Sequence, residues 1–277
     1  MFDMQIRLIS MLGILTVVVL SGLLLDYYHV FRRPKRLRVG IVVAILGITA
    51  GIFLTLCAVL PDNNVFGRVF FESQTTKKMV ALTFDDGPYS PYTEQVLDIL
   101  KEYNVPATFF IVGQNAEKHP ELVKRIAEEG HQLGNHTYHH VDLLKSDSKT
   151  VAEEIDRTSK MIASITGITP HVLRPPHGFR DPTVMKIVTD RGLEVVEWSV
   201  MSKDWTNPGV EVIVDRTVKK VKNGSIILLH DGDGTASQAS RAQSVAAARL
   251  IIRTLIAEGY QFVTVDEILA KTEDIKS

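Results

Sequence analysis

From Met79 to the C-terminus, short apolar runs alternate with amphipathic stretches seven times, and no other feature narrows the fold so far. The apolar runs predict strands at Val80–Phe84, Ala107–Val112, Gln132–Asn135, Val172–Arg174, Val195–Trp198, Ser225–Leu229 and Phe262–Thr264. Between them the spacing predicts helices over Pro91–Tyr103 (Val96, Leu97 and Leu100 on one face), His119–Glu129, Thr150–Ile165, Pro182–Arg191, Val210–Val221 and Ser240–Glu258, with a short last helix. Strands that alternate with crossover helices pair in parallel, so the expected fold is α/β, a barrel or a doubly wound sheet.

The first 60 residues follow another pattern. Leu8–Leu25 and Val39–Leu60 are each long and apolar enough to cross a bilayer, the first diluted by Ser10, Thr16 and Ser21. Residues 31–38 between them hold five positive charges. By the positive-inside rule that loop is cytoplasmic, residues 1–60 form a transmembrane hairpin, and the bulk of the chain lies outside the cell membrane. A cleaved signal peptide is the competing reading of the first span. It is disfavoured because Asp3 offsets Arg7 and no small-x-small site follows. Residues 61–78, polar and rich in Asn, Thr and Gly, read as a linker or a lead-in strand, which leaves 79–270 for the alternating strand–helix domain. Residues 1–60 hold six basic and two acidic residues, so the remainder has 25 basic and 30 acidic, a formal charge of −5. Such a balance argues against a nucleic-acid partner. The single cysteine, Cys57, excludes a disulfide within the chain.

Chemically uncommon residues fall at one place on this map. Asp85-Asp86 end the first predicted strand, His136-Thr-Tyr-His-His140 follows the third, and Arg174 ends the fourth. Asp204-Trp205 follow the fifth, and His230 follows the sixth. In a β/α barrel the carboxyl ends of the strands share one face, where active sites are built. An acidic pair before Gly87-Pro88 is by itself an ordinary polar turn. Neighbours on a strand point to opposite sides, however, so one acid can hold a metal ion while the other stays free to move a proton. His136 and His140, four apart, can face one side and with Asp86 offer two imidazoles and a carboxylate. Three protein ligands with open positions suit a catalytic ion: zinc first, with cobalt, manganese, iron and nickel also compatible. Hydrolysis at such an ion needs a base and an acid, for which Asp85 and His230 are the candidates. Arg174 can hold Asp85 ionised, and Asp204 can raise the pKa of His230 so that it starts as the acid. Read singly, Arg174 is a surface ion pair and His230 a strand cap; read jointly, those alternatives are weak.

In this order the residues resemble the polysaccharide deacetylases, the NodB-homology group or carbohydrate esterase family four, over roughly residues 75–268. Thr83-Phe-Asp-Asp-Gly-Pro88 is similar to the first motif of that family, which implies Asp85 as base and Asp86 as metal ligand. His136-Thr-Tyr-His-His140 is similar to the second, which completes the ligand set, and Arg174-Pro-Pro-His-Gly178 to the third, whose arginine orients the base. Asp204-Trp205 resembles the end of the fourth, and Leu228-Leu-His230 the fifth, with the general acid. The resemblance implies a distorted (β/α)7 barrel and a metal-dependent hydrolase of linear amides on a polysaccharide. It also implies a sugar-facing wall that includes His177, Trp205 and Leu228.

Two positions depart from the family pattern. His177 stands where Tyr or Phe is usual; its backbone N–H, which the resemblance assigns to the oxyanion, survives any side-chain change. Met201 stands where the fourth motif often has its first acid. Both predict a retuned groove rather than a dead enzyme. With the domain outside the membrane, the expected substrate is N-acetylglucosamine of peptidoglycan. The alternatives are another polysaccharide (O-acetylated, chitin-like or poly-N-acetylglucosamine) and a non-catalytic glycan-binding homologue. Against the last, no base, ligand or acid is missing.

Overall fold

Val80, Ala81, Leu82 and Phe84 are fully buried, as a strand must be when both faces of a parallel sheet are covered. The computed structural model describes residues 7–30 and 37–273. Among these, one sheet holds β1 (Val69–Phe70), β2 (Met79–Asp85), β3 (Thr108–Ile111), β4 (Gln132–Asn135), β5 (Val172–Leu173), β6 (Glu194–Val196), β7 (Val200–Met201), β8 (Ser225–His230) and β9 (Gln261–Val263). The order is β1-β6-β5-β4-β3-β2-β8-β7, and every strand pairing is parallel. One edge of β2 meets β8; its other edge is shared, with β9 along Met79–Ala81 and β3 along Thr83–Asp85.

The stretch 194–201 changes partners midway. Its β6 half lies between β1 and β5, the Glu197 N–H donates to the Phe70 carbonyl, and the Ser199 N–H then donates to Ile226 before β7 joins β8. That handover curls the sheet into the distorted barrel expected. The strand expected at Val195–Trp198 overlaps β6 and stops short of β7, which was not foreseen because nothing in the sequence signals a change of neighbour.

The helices are α1 (Leu8–Val30), α2 (Leu37–Val59), α3 (Tyr92–Tyr103), α4 (Gly113–Lys118), α5 (Pro120–Glu128), α6 (Ser148–Thr166), α7 (Pro182–Thr189), α8 (Val210–Val218), α9 (Ala242–Ala257) and α10 (Val265–Glu273). The predicted helix 119–129 is α5, which starts on Pro120 as proline at the first helical turn favours. The preceding α4 was not foreseen. Asp147 and Asp181 cap α6 and α7 by accepting the N–H of Thr150 and Val184.

Side-chain parity along β2 sets up the site. Val80, Leu82 and Phe84 pack outward with Leu97, Leu100, Ile251 and Leu255 of α3 and α9, and Phe84 stacks on Phe109 at 5.2 Å. Met79 and Ala81 point inward with Phe110, Val172 and Ile226. Thr83 and Asp85 continue the inward row. Residues 61–78, expected as linker or lead-in strand, contain β1; Phe66 and Val69 pack with Leu173 and Val184, and Phe70 with Val172. The segment is thus part of the barrel wall rather than a free tether. Helices α1 and α2 run antiparallel as a hairpin: Gly22 lies against Val43, Gly47 against Val19 and Gly51 against Leu12. Their apolar windows are Leu8–Leu25 and Gly40–Val59. Residues 31–36 of the predicted basic loop lie outside the described residues, and Leu37 and Arg38, expected in that loop, begin α2.

Candidate active site

The polar residues picked out in the sequence converge on one cleft of about 650 Å³ at the carboxyl ends of the strands. Asp85 ends β2, His136 follows β4, Arg174 follows β5, Asp204 sits in a short 3-10 turn after β7, and His230 ends β8. Asp85, Asp86, His136, His140, His177, Trp205, Leu228 and His230 all line the cleft; Arg174 and Asp204 are fully buried behind it. Simple alternation would send the two acids to opposite sides. Asp86 instead lies past the strand with φ of 77°, which turns its carboxylate back toward the interior beside Asp85. That positive φ was not visible in the sequence.

Asp86, His136 and His140 present one ligand atom each within 4.8 Å of one another. The His136 and His140 Nε2 atoms stand 3.4 and 3.2 Å from Asp86 Oδ1, and that oxygen is buried without a hydrogen-bond partner. A carbonyl oxygen can only accept, so the 2.7 Å contact of His136 Nδ1 with the Arg174 carbonyl fixes the proton on Nδ1 and leaves the Nε2 lone pair for a ligand bond. An orphaned carboxylate oxygen facing two imidazoles fits a divalent cation. Burial pushes the Asp86 carboxyl up, but the neighbouring His136, His140 and His230 imidazoles outweigh it and hold the group well below its ordinary value. Burial draws His140 down to about 4 against the pull of Asp86. His136, also penalised by burial, is nevertheless raised because Asp85 and Asp86 both face it.

Arg174 organises the other acid. Nη1 donates to Asp85 Oδ1 at 2.7 Å and Thr83 Oγ1 at 2.8 Å, while Nε and Nη2 donate to the Val196 and Glu197 carbonyls. Its guanidinium lies 4.0 Å over the Phe110 ring. The surface-ion-pair reading of Arg174 therefore fails.

His230 is tied to Asp204 twice: its backbone N–H donates to Oδ2 and its Nδ1 lies 2.9 Å from Oδ1. The Ser202 and Ser244 hydroxyls also donate to that carboxylate. Burial pulls His230 down, yet the Asp204 charge and hydrogen bond overcome it and raise the imidazole to about 9. Asp204 is correspondingly lowered against its own burial. Trp205 meets the His230 ring edge-on at 5.1 Å. His177, at φ of 61° in the turn Pro176–Gly178, meets His140 edge-on at 5.0 Å. Met201 lines the same cleft.

Several supporting residues escaped the sequence reading. Glu154 accepts the Tyr138 and His139 N–H groups on one oxygen and pairs with His139 Nδ1 on the other, so it holds the loop that carries His140. Its signal was a carboxylate on the apolar stripe Val151, Ile155, Thr158 and Ile162 of α6. Asn115 donates to the Asp86 and Gly234 carbonyls. Asp231, raised to about 7 chiefly by burial, accepts from Thr93 Oγ1 at 2.6 Å and fills the space over Gly87, where a Cβ would come within 2.2 Å of it. Gly178 is needed too: its φ is 73°, and a Cβ there would meet Glu197 and Trp198 at about 3 Å.

A parallel-strand barrel whose carboxyl-face cleft gathers an acid, a base and a candidate cation site has the equipment of a hydrolase. The family model for polysaccharide deacetylase matches residues 72–196. A peptidoglycan-N-acetylglucosamine deacetylase of Bacillus cereus is 41% identical over 205 residues, 73% of this chain and 93% of the relative. A chitooligosaccharide deacetylase of Rhizobium leguminosarum is 38% identical over 199 residues, 69% of this chain and 92% of the relative. The crystal structure of a peptidoglycan N-acetylglucosamine deacetylase superposes with a TM-score of 0.69 at 38% identity, covering 72% of this chain and 92% of that one. The chain belongs to the polysaccharide deacetylase family.

Proposed function

We propose that this enzyme removes N-acetyl groups from a glycan outside the cell, foremost N-acetylglucosamine residues of peptidoglycan. The observation that carries the reading is the orphaned Asp86 oxygen faced by two imidazoles, with Asp85 and His230 opening on the same cleft. The Bacillus relative supports the choice of polymer.

Asp86, His136 and His140 would hold a divalent ion, zinc by donor type, which supplies Lewis acidity toward water and the acetyl oxygen. Asp85, oriented by Arg174, takes the proton of the attacking water. The His177 N–H donates to the oxygen that gathers negative charge. As the carbon–nitrogen bond breaks, His230 gives its proton to the departing nitrogen, and acetate and a free amine result. Trp205, Leu228 and His177 bound the sugar. The hairpin of residues 1–60 anchors the barrel to the membrane with the basic segment 31–38 on the cytoplasmic side.

Full-length enzyme in detergent with zinc, cobalt or manganese is expected to release acetate from purified peptidoglycan; none with any metal would overturn the glycan assignment. The Rhizobium relative's name makes chitin oligomers the second substrate class, and the ratio of acetate from the two polymers separates them. The acid role has its own pH signature. His230 is charged below about 9, so activity should fall as pH rises through that value. In Asp204→Asn the largest raising charge is gone and only Asp86 and Asp85 still oppose burial, which carries the alkaline limb to the acid side by roughly one unit or more. A limb that stays near 9 would remove His230 from the role.

A further inference from the structure

The carboxyl face of the barrel holds more than the cleft: it also seats both roots of the N-terminal hairpin. Asp181 Oδ2 accepts the Leu8 N–H at 3.1 Å and pairs with Arg7 Nε at 3.2 Å, while its Oδ1 caps α7. The Arg7 guanidinium reaches the Leu143 carbonyl. The Arg180 N–H donates to the Ala58 carbonyl at 3.0 Å, and its Nη2 donates to the Leu60 and Asn63 carbonyls at 2.6 and 2.8 Å. Its other nitrogen binds the Gly178 carbonyl and Glu197. Both residues of the Arg180-Asp181 dipeptide are buried, as are Leu8, Cys57 and Ala58. A carboxylate thus caps the start of α1, while at the end of α2 the Arg180 N–H takes the Ala58 carbonyl and its guanidinium the carbonyls just beyond the helix, each charge matched to the helix dipole.

Two lengths give this seat a consequence. The apolar windows begin at Leu8 and end at Val59, so no spacer separates the bilayer-length helices from the barrel. Leu143 lies three residues beyond His140, and Arg180 three beyond His177; three residues span at most about 11 Å. Around the hairpin, Ile14, Val17, Leu20, Leu24, Ile45, Leu46, Ile52 and Phe53 are exposed, an apolar surface suited to lipid.

From this geometry, and resting on the deacetylase and membrane-span readings above, we infer that the Arg180-Asp181 seat fixes the cleft at the level of the lipid headgroups. The substrate is then an N-acetylated glycan displayed at the bilayer surface, with its sugar carried by a lipid embedded in the same membrane. The seat also requires α1 to remain in the working enzyme.

The test places a fluorophore on full-length enzyme in phosphatidylcholine vesicles at Ser237→Cys, beside the cleft-lining Ala236, or at Asn104→Cys, in the loop before β3 on the opposite face. The native thiol, Cys57, is buried. A headgroup-linked quencher is expected to quench the Ser237 probe at least about twofold more than the Asn104 probe. Arg180→Gln with Asp181→Asn, which keeps the α7 cap, should even the two. Equal or reversed quenching in the unaltered seat overturns the placement. In the same vesicles with zinc, an N-acetylglucosamine oligomer bearing one acyl tail should release acetate about tenfold faster than the untailed oligomer, and an equal rate overturns the substrate class. Because quenching needs no turnover, absence of acetate from both oligomers with the quenching order intact would overturn the deacetylase reading beneath it.

Discussion

Asp85→Asn is expected to lower acetate release about 10³-fold while the protein still binds one divalent ion. The amide keeps the shape of the carboxylate, and its oxygen can still accept from Arg174 Nη1, now 2.7 Å from Asp85 Oδ1. What it loses is the capacity to take a proton. The ion's donors lie elsewhere, since Asp86 Oδ1 is the carboxylate oxygen that both imidazoles approach. Asp85 Oδ2 stands farther from His136, at 3.8 Å, and its other oxygen is spent on Arg174. Acetate assays beside metal analysis of the purified full-length protein separate the two acids. Loss of metal from Asp85→Asn, or retention of activity, would reverse their assignment.

Most of this arrangement was readable because barrel topology converts chain order into spatial convergence. Five polar groups that follow five different strands have one place to meet, and the apolar runs located all of those strands except β7 to within a residue or two. The unread part depends on single dihedrals and on neighbours distant in sequence. Asp86 faces the cleft through a positive φ that its residue type does not announce. Nothing in Val195–Trp198 reveals that the chain passes from one sheet neighbour to another within a few residues. Glu154 and Asn115 work by accepting from or donating to backbone groups of other loops, and a backbone partner leaves no trace in composition. In the sequence, Arg180-Asp181 is only a pair of opposite charges ahead of α7. Its partners are helix ends well over 100 residues away in sequence.

Arg174→Met should be the most damaging substitution to the fold, with a loss of about 3–5 kcal/mol and little residual activity. Methionine fills much of the same space over Phe110 but offers no donor. The Val196 and Glu197 carbonyls and Asp85 Oδ1 would lose the donor that Arg174 supplies, and Thr83 Oγ1 would keep only its bond to the Ile227 carbonyl; each buried acceptor left without a donor is costly. The two carbonyls lie where the chain leaves β6 for β7, so the sheet's handover weakens together with the site. Arg174→Lys tests the geometry apart from the charge. An ammonium can neutralise Asp85, but it cannot also span Val196 and Glu197 from a planar fork. The lysine variant should therefore bind metal, unfold at lower urea than the parent, and turn over well below it. Equal stability of the lysine and parent enzymes in urea would mean that the backbone contacts contribute nothing and that Arg174 acts through charge alone.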